Sequence, residues 1–288
     1  MRKLFYKALN FTLFGNVFIA LCALAQALLT YTLLGLAPSY TLCAFLFLAT
    51  LCMYNCSLLF YKPFGFKTSE HKRIRWFFAH QQLNILITLT ASLTLIPLFF
   101  TLTLIVQVFI FFLAIVSIAY LLPVIKVQNQ SFSLRSIVGL KLFLIAAVWV
   151  LSVNLLPLLQ SQTSIPKRET ILLLLPQFIF FMVIALQFDV RDIHYDGVQH
   201  LKTIPTKYGL KKTLKISVFL IIVGILILFS LNYKEFGSYI FANLVSHLVL
   251  ACLILKPTFK NHPSYYFFLD GMLILQYLFV MVFRVFAY

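Results

Sequence analysis

The sequence predicts an all-α polytopic membrane protein, a helix bundle with about nine transmembrane helices. Three observations carry this expectation. Of the 288 residues, 62% are hydrophobic and only 10% are charged, against roughly 25% charged in a soluble domain. The mean hydropathy is +0.99. The apolar residues gather in runs of about 20, the length that crosses a hydrocarbon core, and the bases fall between those runs.

In chain order the runs cover roughly 11–36, 40–61, 80–99, 101–122, 136–157, 170–188, 213–232, 238–255 and 265–287. Pro97 and the stretch Phe99–Thr103 divide the third run from the fourth. The basic start, Met1-Arg2-Lys3, looks like the front of a signal peptide. The run behind it is too long for one, and no small-residue cleavage site follows. It reads as an uncleaved first membrane helix. With the N-terminus in the cytosol and sides alternating, only Lys167, Arg168, Lys234 and Arg284 of the 23 bases fall outside. That asymmetry favours this orientation, and an odd helix number then puts the C-terminus outside. The expected location is the cell inner membrane. Residues 1–288 read as one integral membrane domain. Helices two to five and six to nine form two four-helix units, with cytosolic loops at 62–80 and 189–212.

The same composition excludes other classes. A net charge of +16 would suggest nucleic acid on a soluble protein. Here the bases sit in short loops with no interleaved aromatic motif, so no nucleic-acid partner is expected. Cys22, Cys43, Cys52, Cys56 and Cys252 form no Cys-x-x-Cys pair, which argues against a zinc or disulfide framework. No fixed-period repeat is visible, and the sequence is silent on oligomeric state.

The chain has seven acids, and three of them, Asp189, Asp192 and Asp196, fall within eight residues. Spacings of three and seven put them on one side of a helix. Like charges so placed repel, and a bound divalent cation would offset the repulsion. Mg²⁺ suits such a place, because it takes carboxylates together with water and substrate phosphates. The plain alternative is a solvated helix end.

Asp189, Asp192 and Asp196 are followed by Leu201-Lys202-Thr203-Ile204-Pro205 and then Gly209. This run resembles the second aspartate-rich region of the UbiA superfamily of intramembrane prenyltransferases, which follows the sixth of nine helices. Tyr120-Leu121-Leu122-Pro123-Val124-Ile125-Lys126 resembles that family's Tyr-x-x-Pro-x-x-Lys segment. The resemblance implies a UbiA-like bundle that moves an isoprenyl group from a prenyl diphosphate to an aromatic or other lipophilic acceptor. It implies Asp189, Asp192 and Asp196 as catalytic, Mg²⁺-holding residues, with Lys126, Lys202 and Tyr120 near the substrate.

The sequence departs from the family where the first aspartate-rich region belongs. Asn55 matches that motif's Asn, but its three Asp positions hold Cys56, Leu59 and Pro63. His200 stands where a Gly is expected. One Mg²⁺ site is therefore expected and a second is doubtful. Lys62, Arg73 and Arg75 lie where the missing acids would be and are candidates to bind diphosphate directly; topology alone would also place bases there. Asp270, inside the last run, is a functional candidate by its depth, with Lys141 as the expected partner. Gln26, Asn84, Gln107, Gln177 and His247 read as inter-helix hydrogen-bonding residues. Two other functions stand beside the enzyme: an inactive UbiA-fold protein that binds an isoprenoid or quinone lipid or scaffolds membrane enzymes, and an unrelated transporter.

Overall fold

The computed structural model describes residues 2–60, 72–121, 125–127, 130–132, 137–162, 167–198, 202–231, 233–255 and 265–286. The described backbone is helical apart from one hairpin. In order, the helices are α1 (Arg2–Phe14), α2 (Val17–Leu33), α3 (Tyr40–Phe60), α4 (Lys72–Ala79), α5 (Gln81–Phe100), α6 (Leu104–Leu121), α7 (Leu140–Val150), α8 (Leu156–Ser161), α9 (Lys167–Arg191), α10 (Ile193–Val198), α11 (Ile204–Leu228), α12 (Tyr233–Leu255) and α13 (Tyr265–Phe286). Strands β1 (Ile125–Val127) and β2 (Gln130–Phe132) pair antiparallel, with Lys126 opposite Ser131.

A helix satisfies its own backbone, so apolar runs in lipid fold this way. Helix occupies all nine apolar runs. Among the described residues, six helices are long and apolar enough to cross a membrane, with the continuous stretch Leu140–Ser161 counted as one, or seven if the bent pair α1–α2 counts as one span. The expected count of nine is thus not reached on length and composition, although the chain is an integral membrane protein. The outer face agrees: Leu86, Leu89, Leu93 and Ile96 of α5, and Leu104, Val108, Phe111 and Ile115 of α6, are all exposed.

Packing follows the chain. α2 meets α3, and α3 meets α5; α7 meets α9, then α11, α12 and α13 follow, and α13 returns to α2. The core between them holds Ala23, Ala146, Phe180, Ile184, Leu250 and Met272.

Three details differ from the sequence expectation. The first run is not one helix. It bends by 68° between α1 and α2, where Asn16 takes the left-handed conformation at φ 64. A Cβ on the neighbouring Gly15 would lie 2.6 Å from the Phe11 carbonyl oxygen. Part of the expected 62–80 loop is helix α4, whose Phe77 and Phe78 are buried. The fifth run switches to a π-helical segment at Leu151–Leu155. Pro157 has no N–H for the Val153 carbonyl; the Thr30 hydroxyl donates to that oxygen instead, at 3.2 Å.

Candidate functional site

Helix directions bring the C-terminal ends of α3 and α9 to the same end of the bundle as the N-terminal ends of α2, α7 and α13. Two polar regions meet there, one around Asn55 and one around Asp189.

The Asp189 region is built by three helices. α9 runs to Arg191, α10 follows after Asp192, and the path stays helix-like, with the Asp196 N–H donating to the Asp192 carbonyl at 2.8 Å. Seven residues make almost two whole turns, so Asp189 and Asp196 nearly eclipse, while Asp192 is rotated away. Both eclipsed carboxylates are buried. Lys141, in the first turn of α7, puts its Nζ 2.6 Å from Asp189 Oδ1 and 3.9 Å from Asp196 Oδ2. Asp192 is held elsewhere: Arg191 donates to its two oxygens at 2.6 and 2.5 Å. The Arg191 guanidinium also lies over the Phe188 ring, 4.7 Å from its centroid.

The residues after Asp196 have structural work. The Thr203 N–H donates to the Thr206 hydroxyl at 2.8 Å, which caps α11. Pro205 sits in the first turn, where its missing N–H costs nothing. The Thr203 side chain also bonds Asp196. Burial pushes the Asp196 carboxyl up to about 6; Lys141 opposes the rise, Asp189 and Asp192 add to it, and the Thr203 bond opposes it. Gly209 has φ 79 inside α11, a backbone state that disfavours any side chain.

The Asn55 region carries no acid among its described residues. Asn55 is buried; its Oδ1 accepts from Asn16 Nδ2 at 2.7 Å and its Nδ2 donates to Thr88 Oγ1 at 3.0 Å. Arg73, from α4, reaches inward to donate to Asn16 Oδ1 and lies 5.8 Å from the Tyr54 ring centroid. α4 is seated by Trp76, whose ring packs on Phe11 and Phe14 of α1. Cys56 and Leu59 are half-buried.

Asp270 on α13 links the two regions. The charges of Arg73 and Arg191 both act on it, and Phe18 stacks on Phe267 one turn before it, at 4.7 Å between centroids. The expected Asp270–Lys141 pair is not formed. α7 packs on α9, so Lys141 meets Asp189 and Asp196 instead.

Of the other expected site residues, Tyr120 is half-buried near Lys141 and Tyr54, while Arg75 and Lys202 are exposed. Lys62 lies outside the described residues, and only the backbone of Lys126 is described. Sequence reasoning passed over Asn16, whose one signal was the Gly15-Asn16 pair inside an apolar run. It counted Arg191 only as a loop base.

The fit to a divalent metal can be judged from this geometry. No group of three or more His, Cys, Asp or Glu side chains converges among the described residues. The two carboxylates that do converge already share an ammonium. A divalent ion about 4 Å from that ammonium would meet a repulsion of about 8 kcal/mol at an effective dielectric of about 20. With Lys141 in this position, the residues present do not fit Mg²⁺.

A polar end, or mouth, lined with buried ion pairs marks this membrane helix bundle, and its fold is a known one. No protein-family model and no curated protein matches the chain. Solved structures do. A UbiA homologue from Archaeoglobus fulgidus bound to GPP and Mg²⁺ aligns with a TM-score of 0.66 at 11% identity, covering 95% of this chain and 99% of that one. The same homologue bound to DMAPP and Mg²⁺ gives 0.64 at 11% identity, with 95% and 99% covered. A structure described for digeranylgeranylglyceryl phosphate synthase gives 0.54 at 14% identity, with 98% of each chain covered. The chain has the UbiA fold.

Proposed function

We propose that this chain is a divergent UbiA-superfamily membrane prenyltransferase, moving an isoprenyl group from a prenyl diphosphate to an aromatic or other lipophilic acceptor. The observation that carries the reading is the likeness over 95% of the chain to a UbiA homologue bound to GPP, with Asp189 and Asp196 buried side by side in the end of the bundle. The chain would lie in the cell inner membrane with its N-terminus and this mouth on the cytosolic side, as the distribution of bases supports.

In such a reaction the allylic C–O bond breaks and its electron pair leaves with the diphosphate. The acceptor supplies the pair for the new bond and loses a proton. Of this chain's residues, Arg73 is placed to hold phosphate oxygens, presented by Asn16 and braced by Asn55. The ring faces of Tyr54, Phe18 and Phe267 near Asp270 would stabilise a positively charged prenyl carbon. Mg²⁺ in the related fold would neutralise the leaving diphosphate.

A second reading has its own support. Cys56, Leu59 and Pro63 stand at the three acid positions of the first motif, and Lys141 ties up two further acids. That pattern suits an inactive UbiA-fold protein that binds an isoprenoid or quinone lipid or scaffolds membrane enzymes. Purified protein in detergent, offered geranyl and longer prenyl diphosphates with a panel of lipophilic acceptors, separates the two. Diphosphate release with a prenylated product supports the enzyme. Binding without release supports the second reading, and no binding of any prenyl diphosphate or prenyl lipid removes both.

A further inference from the structure

We infer that Lys141 is a built-in cation that takes the place of a divalent metal at Asp189 and Asp196, so that this mouth holds its anionic ligand without metal. The ligand half of the inference rests on the prenyl diphosphate reading; the metal half does not.

The placement of Lys141 is otherwise unfavourable. It stands in the first turn of α7, just after Gly139, where the helix macrodipole repels a cation. Its side chain is only 21% exposed, and an ammonium removed from water needs compensation. Two buried carboxylates supply it, at 2.6 and 3.9 Å. The other acids are met from inside the chain as well: Arg191 holds Asp192, and the charges of Arg73 and Arg191 act on Asp270. A metal-dependent version of the site would leave carboxylates unneutralised until an ion arrived. Among the described residues around the mouth, four acids, Asp189, Asp192, Asp196 and Asp270, already face three bases, Lys141, Arg191 and Arg73.

The chemistry of the ligand follows. An ammonium has three N–H donors, and Asp189 takes one at hydrogen-bond distance. The others suit phosphate or diphosphate oxygens. A ligand held this way binds as the free anion rather than as a magnesium complex, and chelators do not release it.

The test uses the full chain in detergent, with Mn²⁺ as the metal probe read by loss of the free-ion EPR signal. It compares wild type, Lys141→Gln, Asp189→Asn and Lys141→Gln/Asp189→Asn. Geranyl diphosphate binding is measured in parallel with and without EDTA. Wild type is expected to leave Mn²⁺ free and to bind geranyl diphosphate equally with EDTA. Lys141→Gln is expected to bind Mn²⁺ at least about tenfold more tightly, and adding Asp189→Asn removes the gain. A wild-type Mn²⁺ site that Asp189→Asn abolishes overturns the inference, as does a folded Lys141→Gln that stays metal-free. If Lys141→Gln does not fold, wild type and Asp189→Asn decide alone: a metal-silent wild type supports it, an Asp189-dependent site sinks it. Should no variant bind geranyl diphosphate while the Mn²⁺ results hold, the prenyl diphosphate reading fails and the assignment of Lys141 stands.

Discussion

The two polar regions at this end of the bundle handle buried polarity by different routes. Around Asn55 no acid stands among the described residues and amides are present instead, with Arg73 bound to Asn16. Around Asp189 the acids remain, and Lys141 and Arg191 are set against them. The first region is a hydrogen-bonded network of neutral groups with one cation added; the second is a set of ion pairs. A buried amide left without its partner costs less than a buried charge left alone. The contrast predicts unequal responses to mutation on the two sides of this mouth.

The sharpest way to break the comparison is to remove Lys141. Lys141→Met leaves two buried carboxylates facing each other and should cost about 3 kcal/mol, the low end for a broken buried pair because the lysine is partly exposed. Thermal unfolding in detergent measures it. Asn55→Leu, on the neutral side, unmakes the bonds to Asn16 and Thr88 and should cost about 2 kcal/mol in the same assay. An Asn55→Leu loss larger than the Lys141→Met loss would reverse the ranking of the two regions. Gly209→Ala, in the chain stretch that follows the acids, forces a side chain into φ 79 and should cost about 1 kcal/mol.

A pH effect comes next. Folding raises the Asp196 carboxyl from 3.8 to about 6, so the folded chain holds this proton more tightly than the unfolded one. The stability Asp196 contributes is present below its unfolded value and is lost as pH rises through about 6. Asp196→Asn, neutral throughout, should therefore gain on wild type between about pH 4 and pH 7, read as a difference in melting temperature. A constant difference across that range would show that Asp196 keeps an ordinary carboxyl. The smallest effect belongs to Lys202→Ala, an exposed position, with stability expected within about 0.5 kcal/mol of wild type.

Much of the bundle was legible in the sequence because hydropathy reports burial in lipid directly. The separation of α5 from α6 at Thr101–Thr103 was marked by Pro97 and the stretch behind it, and every apolar run is helical. The 68° bend at Asn16 was not read, since one Gly-Asn pair inside an apolar run is a weak signal. The π-helical segment before Pro157 was not read either, because it depends on Thr30 from another helix. At the site, the spacing of Asp189 and Asp196 announced that they share a face. It could not announce which base would meet them. Lys141 and Asp270 both lie near a helix start, and only the packing of α7 on α9 decides between partners. Arg73 and Arg75 are two residues apart in sequence, yet α4 turns the first inward and the second out.

The account stands most directly on the coupling between Lys141 and Asp189, which a double-mutant cycle measures. Lys141→Gln, Asp189→Asn and the double variant are unfolded under identical detergent conditions. The prediction is a double variant more stable than the sum of the single losses, with a coupling energy above about 1.5 kcal/mol. Additive losses would mean that the ammonium and the carboxylate do not neutralise each other, and the picture of a lysine standing in a metal's place would be wrong.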